Sequence, residues 1–130
     1  MVNEYPKDLQ YTQAHVWVKV EEKRHRARVG ITEELAEKLR EILSIDMPMV
    51  GDELEMDEPC LHLHRDKSIH SLASPLTGRI TEINKEVLDK PGLIFLEPYV
   101  NWLFCMEYDE DEELEMLMNA HQYATYLDTL

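Results

Sequence analysis

The chain has 130 residues, of which 27 are acidic and 13 are lysine or arginine, so its formal net charge is −14. That charge excludes a nucleic-acid-binding surface, which needs clustered lysine and arginine, and it disfavours an anionic membrane as a partner. A hydrophobic content of 44% over this length predicts one globular domain spanning residues 1–130.

The N-terminal segment and the two cysteines indicate a reducing compartment. The segment MVNEYPKDLQ lacks the basic start and the apolar core of a secretory signal peptide. No stretch of the sequence approaches the length of a membrane span. We therefore expect a cytoplasmic protein in which Cys60 and Cys105 are reduced.

The first third of the chain predicts a hairpin followed by a short helix. Valines alternate with other residues over 15–20, a pattern typical of a half-buried strand. A charged turn separates this strand from a shorter one at 27–29. Thr32 then caps a helix predicted over 32–41, whose first turn holds two glutamates at the positive end of the helix dipole.

The remainder predicts a compact all-β region and a final helix. Proline and glycine punctuate residues 48–98, and between them lie short strand-like segments. These segments are LSIDM, DELEM, CLHLH, HSLAS, GRITEI and LIFLE. Apolar residues then recur at helical spacing over 112–127, and a cluster of acidic residues precedes them, so a C-terminal helix is predicted there.

A hairpin with one lysine at its tip is predicted in the middle of the chain. Leu61 and Leu63 would face the core, which places the cysteine and histidines that alternate with them on the opposite face of the strand. Residues 65–68 include no apolar side chain, so Asp66 and Lys67 form the tip. Taken alone, a lysine at this position is an ordinary solvated residue, because polar hairpin tips are common.

Segments in fixed order and spacing carry a resemblance that covers nearly the whole chain. They are PKDLQYTQAHVWV, VGITEELAEKLREILSIDMPMVGDE, SPLTG, EINKEVLDKPGLI, EPYVNW and HQYATYL. Together these segments resemble the glycine cleavage system H protein family. Lys67 lies sixteen residues after Gly51 and eight before Pro75, where the family carries its lipoylated lysine.

The resemblance implies a fold and an attachment site. The implied fold is mainly β, a flattened barrel or sandwich (a barrel-sandwich hybrid like a lipoyl domain) with a short helix after the first strands and a C-terminal helix. The implied site is Lys67, with lipoic acid in amide linkage and with His64, Asp66 and Ser68 as its flanks. The chain itself would be a carrier and not an enzyme, since the cofactor supplies the chemistry.

The resemblance also implies a set of partners. The lipoyl arm would accept an aminomethyl group from glycine decarboxylase and present it to a tetrahydrofolate-dependent aminomethyltransferase. A dihydrolipoyl dehydrogenase would then reoxidise the arm, and a lipoate ligase would load it. No nucleic acid and no membrane is expected among the partners.

Two alternatives stay open at the level of sequence. His64 and Ser68 stand where the family has a glutamate and an alanine, so a lipoyl carrier for another pathway, such as sulfur oxidation, is one alternative. The other is an unlipoylated interaction module, with metal held by Cys60, His62 and His64. Only three ligands align there, whereas a structural zinc site takes four, so we expect no metal.

Overall fold

The computed structural model describes residues 5–130, and short strands and short helices make up this range. The strands are β1 (Gln10–Tyr11), β2 (Val16–Glu21), β3 (Arg26–Ile31), β4 (Ser44–Asp46), β5 (Glu53–Leu54), β6 (Pro59–His64), β7 (Ile69–Ala73), β8 (Gly78–Ile83) and β9 (Phe104–Tyr108). The α-helices are α1 (Glu33–Leu39), α2 (Lys85–Asp89), α3 (Leu93–Leu96) and α4 (Ala120–Asp128), and 3-10 turns cover Glu22–Arg24 and Asp111–Met116. Of the helices in this range, none is long and apolar enough to cross a membrane.

The strands form two antiparallel sheets that enclose one hydrophobic core. The larger sheet has the order β1-β2-β3-β9-β8-β5, and the smaller has the order β4-β6-β7. Val18, Val29 and Met106 from the larger sheet share the core with Leu61 and Leu63 from the smaller. The predicted mainly β fold is confirmed in its flattened sandwich form, because neither sheet closes into a barrel in the described range.

Helix α1 begins at the predicted cap, and side chains from both ends of the chain hold that cap. Leu35 N–H donates to Thr32 Oγ1 over 3.4 Å, and Thr32 is fully buried. Thr32 Oγ1 lies 2.9 Å from the Tyr123 hydroxyl, which in turn lies 2.8 Å from His15 Nδ1. The start of α1 is thereby joined to α4, and the predicted helix over 32–41 is confirmed within two residues of each end.

A second cluster of aromatic side chains covers the outer face of the larger sheet. Trp17 lies between Val16 and Val18, which face the main core, so its side chain points to the other face of the sheet. It is nevertheless only 1% exposed, because Tyr11, Tyr123 and Leu9 pack around it. Trp17 Nε1–H donates to Pro98 O over 2.9 Å. These aromatic side chains are therefore packed in the interior and at its rim.

The segment LIFLE is a helix and not the predicted strand. Ile94 is the only one of residues 93–96 that is buried, so the segment lacks the two-residue alternation of a half-buried strand. Asn101 Nδ2 donates to Leu93 O over 2.7 Å and to Glu97 O over 3.2 Å. These side-chain hydrogen bonds add to the backbone ones, since Leu93 O also accepts from Glu97 N–H, and Glu97 O also accepts from the N–H groups of Val100 and Asn101.

The predicted helix over 112–127 is interrupted. Tyr11 N–H donates to Met118 O over 2.7 Å, and Met118 N–H donates to Tyr11 O over 2.8 Å, so Met118 is held in extended backbone. Helix α4 starts afterwards with a capping box between Asn119 and Gln122. The Asn-x-x-Gln pattern in the sequence indicates this helix start. The prediction of one continuous helix relied on the spacing of apolar residues and did not use that pattern.

We expect Gly78→Ala to destabilise the protein by about 3 kcal/mol, because the new methyl group would overlap the Glu107 carbonyl oxygen and lie 2.8 Å from Tyr108 Cα. Gly92→Ala is the matched control, since its methyl group would enter open space. Its free energy of unfolding should change by less than about 0.5 kcal/mol. Urea unfolding measures both values, and equal effects of the two variants would contradict the packing at Gly78.

We expect the free energy of unfolding to decrease as the pH falls below about 6.5. Burial lowers the pKa of His15, and Lys38 lowers it further, against the opposing effect of Glu34. The unfolded chain therefore binds a proton more readily than the folded protein, and acid favours unfolding. His15→Asn, a residue that tolerates the left-handed backbone at this position (φ 64°), should give a shallower slope in urea unfolding between pH 7.5 and 5.5. An unchanged slope would refute the role of His15.

Candidate functional site

The loop between β6 and β7 carries Lys67 at its tip, as predicted. His64 pairs with Ile69 in the last rung of the hairpin. Arg65 N–H donates to Ser68 O over 2.8 Å and closes the loop. One backbone hydrogen bond therefore joins the residues on the two sides of the tip.

The side chain of Lys67 is exposed to solvent. Lys67 and its neighbours Asp66 and Ser68 are exposed. Across residues 5–130, no hydrogen bond or ion pair joins the Lys67 ammonium to another side chain or to the backbone. An enzyme can therefore reach this amine without breaking a contact that stabilises the fold.

The two faces of β6 are divided as the alternation predicts. Leu61 and Leu63 are both 0% exposed and pack into the core. Cys60, His62 and His64 are half-buried on the other face. The register of β6 therefore sets the direction in which the loop leaves the sheet.

The two histidines on this face are bound to different neighbours. His62 Nδ1 lies 2.8 Å from Ser71 Oγ, across the strand pair. His64 Nε2 lies 2.7 Å from Asp46 Oδ2 on β4. Each imidazole thus stabilises the small sheet through its own partner.

His70, on the neighbouring strand β7, lies on the opposite face from His62 and His64. His70 pairs with Leu63 in the ladder, so its side chain lies on the inner face of the sheet. Burial lowers the pKa of His70, and the charges of Lys38 and Arg65 lower it further. This imidazole is therefore neutral at physiological pH.

The Cys60 face lacks the features of a metal centre. Burial raises the pKa of the Cys60 thiol to about 12, so a metal would have to displace a firmly held proton to bind this sulfur. Among residues 5–130, no group of three or more histidine, cysteine, aspartate or glutamate side chains is placed to hold a metal ion. Both Cys60 and Cys105 are free thiols.

Arg65 joins the loop to helix α1, a contact that no sequence pattern predicts. Its Nε donates to Leu39 O over 3.1 Å, and its Nη2 donates to the same oxygen over 2.7 Å. Its Nη1 donates to Ser68 Oγ over 3.3 Å. Leu39 and Arg65 are 26 positions apart in the chain, beyond the reach of local periodicity.

Comparison with known proteins gives consistent matches over almost all of the chain. Residues 9–130 match the family model described as glycine cleavage H-protein. The glycine cleavage system H proteins of Bacillus velezensis and Bacillus subtilis are each 37% identical over 119 residues, which cover 91% of this chain and 92% of the relative. The crystal structure of a glycine cleavage system H protein from Mycobacterium marinum matches with a TM-score of 0.83 and 28% identity, covering 95% of this chain and 99% of that chain.

We expect the thiol of Cys60 to react with iodoacetamide at least about 100-fold more slowly in the folded protein than in the urea-unfolded chain at pH 8. The reason is that only the thiolate attacks the reagent and burial suppresses the thiolate. Quenched labelling followed by peptide mass spectrometry measures Cys60 and Cys105 separately. Labelling of Cys60 at the unfolded rate would show that this face is open and would revive the metal alternative.

Proposed function

The chain belongs to the glycine cleavage H-protein family and serves as a carrier protein of glycine cleavage, and we propose that it carries lipoic acid in amide linkage on Nζ of Lys67. The observation that supports this site is an exposed lysine at the tip of a closed hairpin loop, with no ion-pair partner among residues 5–130. Amide formation removes the positive charge of a lysine. At Lys67 that change breaks no ion pair and no buried hydrogen bond within the described part of the chain.

The residues of the chain contribute position rather than a chemical step. When it is attached, the lipoyl group supplies a disulfide that can be reduced and can carry an aminomethyl group. The buried leucines of β6 and the hydrogen bond between Arg65 and Ser68 fix the point from which Lys67 extends. We therefore assign Lys67 the role of attachment and give the chain no catalytic residue of its own.

The partners proposed for this carrier are glycine decarboxylase, aminomethyltransferase, dihydrolipoyl dehydrogenase and a lipoate ligase, in the cytoplasm. The net charge of −14 would accelerate encounters with partners that present basic surfaces and would keep copies of the carrier apart. Exposed flanks on both sides of Lys67 leave room for several enzymes to bind in turn.

The two alternatives gain no specific support from the described residues. A metal-binding interaction module would need ligands that Cys60 and the separately bonded His62 and His64 do not provide. A carrier for another pathway would use the same lysine and differ in its partners. Glycine cleavage is the function named in the relatives.

We expect Lys67→Ala to abolish lipoylation and carrier activity while the free energy of unfolding changes by less than about 0.5 kcal/mol, because the exposed side chain has few contacts to lose. The wild-type chain and the variant are co-expressed with a lipoate ligase, and intact and peptide mass spectrometry locate the modification.

Lys85→Ala and Lys90→Ala are the matched controls and should be modified as fully as the wild-type chain. Lipoyl mass on Lys85 or Lys90 would refute the site. A wild-type chain that no ligase modifies, including the ligase of its own source, would refute the carrier function and favour the interaction module.

A further inference from the structure

The contact between Arg65 and the end of α1 ties the lysine loop to a separate element of the fold. Arg65 is half-buried, and two of its nitrogens donate to the single oxygen of Leu39 at 2.7 and 3.1 Å. The third nitrogen reaches Ser68 Oγ on the far side of the loop. One guanidinium thus spans from the helix to the residue that follows Lys67.

The accepting oxygen is suited to a cation. Helix α1 ends at Leu39, where Arg40 adopts a left-handed backbone (φ 67°) and turns the chain away. The last carbonyls of a helix lack intrahelical partners and carry the negative end of the helix dipole. A guanidinium that donates to such a carbonyl forms a charge-assisted hydrogen bond, which is stronger than one between neutral groups.

The remaining ties on the loop are weaker or lie within it. Asp66 N–H donates to Glu41 Oε1 over 3.4 Å, a long hydrogen bond to an exposed carboxylate. The hydrogen bond from Arg65 N–H to Ser68 O closes the loop on itself but does not connect it to the rest of the fold. Among residues 5–130, Arg65 therefore provides the shortest side-chain hydrogen bond between the tip and a helix or strand outside the hairpin.

Helix α1 is a firm reference for the loop. Its first turn is capped by buried Thr32, which Tyr123 and His15 hold from other parts of the chain. Its residues Leu35 and Leu39 are 1% and 2% exposed in the main core. A loop that is fastened to this helix takes on its rigidity.

We propose that Arg65 is a positioning residue that fastens the loop to α1 and so presents Lys67 in one orientation to the enzymes that bind it. The inference rests on the proposed function, since it concerns how the attachment lysine is presented. If one residue of a loop is already ordered before an enzyme binds, its conformational entropy is not lost during binding, and the binding free energy is more favourable.

The test uses Arg65→Gln, Arg65→Lys and Arg24→Gln. Arg24→Gln is the matched control, because it removes the same charge from an exposed ion pair with Glu21 in another hairpin. Backbone ¹⁵N-{¹H} heteronuclear NOE values for residues 66–68 report the order of the loop in the unmodified protein. Steady-state kinetics of a lipoate ligase, measured with each protein as the acceptor, give the KM of the ligase for that protein and the kcat separately.

We expect Arg65→Gln to lower the NOE values of residues 66–68 and to raise the KM of the ligase for the carrier by about tenfold with kcat unchanged, since the loss falls on binding. Arg65→Lys keeps one donor toward Leu39 O and should recover part of both effects. Arg24→Gln should match the wild-type protein in both measurements.

Two results would overturn the positioning role. A raised KM with unchanged NOE values would show that Arg65 is read directly by the ligase and does not order the loop. Lowered NOE values with unchanged KM would show that loop order does not matter for presentation. A wild-type chain that is not modified at Lys67 would instead refute the proposed function, and the NOE values alone would then decide whether Arg65 holds the loop.

Discussion

The burial of Leu61 and Leu63 is the constraint on which the presentation of Lys67 depends. Side chains alternate across a strand, so a slip of one residue would expose both leucines and bury the polar side chains between them. Each fully buried leucine contributes about 2 kcal/mol through the removal of apolar surface from water, and both are 0% exposed. The register of β6 is therefore strongly determined, and the lysine tip follows from it.

Helix α1 connects the lysine loop to the far end of the chain. Tyr123 on α4 stacks on Tyr11 with ring centroids 4.7 Å apart, and its hydroxyl holds the Thr32 cap of α1. At the other end of the same helix, Leu39 O accepts from Arg65. The aromatic cluster and the lysine loop are thus in contact with opposite ends of one short helix.

Burial favours the neutral forms of two thiols and one imidazole, whereas Lys67 is exposed. Burial raises the pKa of the Cys60 and Cys105 thiols, so both hold their protons at neutral pH. Burial and nearby cations lower the pKa of His70, which keeps this imidazole neutral beneath the loop. Such an arrangement suits a carrier, because the protein supplies a scaffold and the attached group supplies the chemistry.

The sequence by itself determined the features that depend on local period and turn chemistry. The alternation in residues 60–64, the polar tip around Lys67 and the Thr32 cap were all predicted, because strand and helix periods and capping residues act over a few neighbours. The prediction that Lys67 is the attachment site came from the spacing of this lysine within a family resemblance. For that reason the role of Lys67 stays a prediction from the sequence, and its exposed position in the fold is compatible with that role.

Only the tertiary structure decided what depends on contacts between distant residues. Met118 is extended because it pairs with Tyr11, which interrupts a helix that apolar spacing had made continuous. His15 meets Tyr123 across 108 positions, and Arg65 meets Leu39 across 26. Each of these contacts depends on the course of the backbone, which the packing of the two sheets sets. The spacing of apolar residues in a short segment does not predict that course.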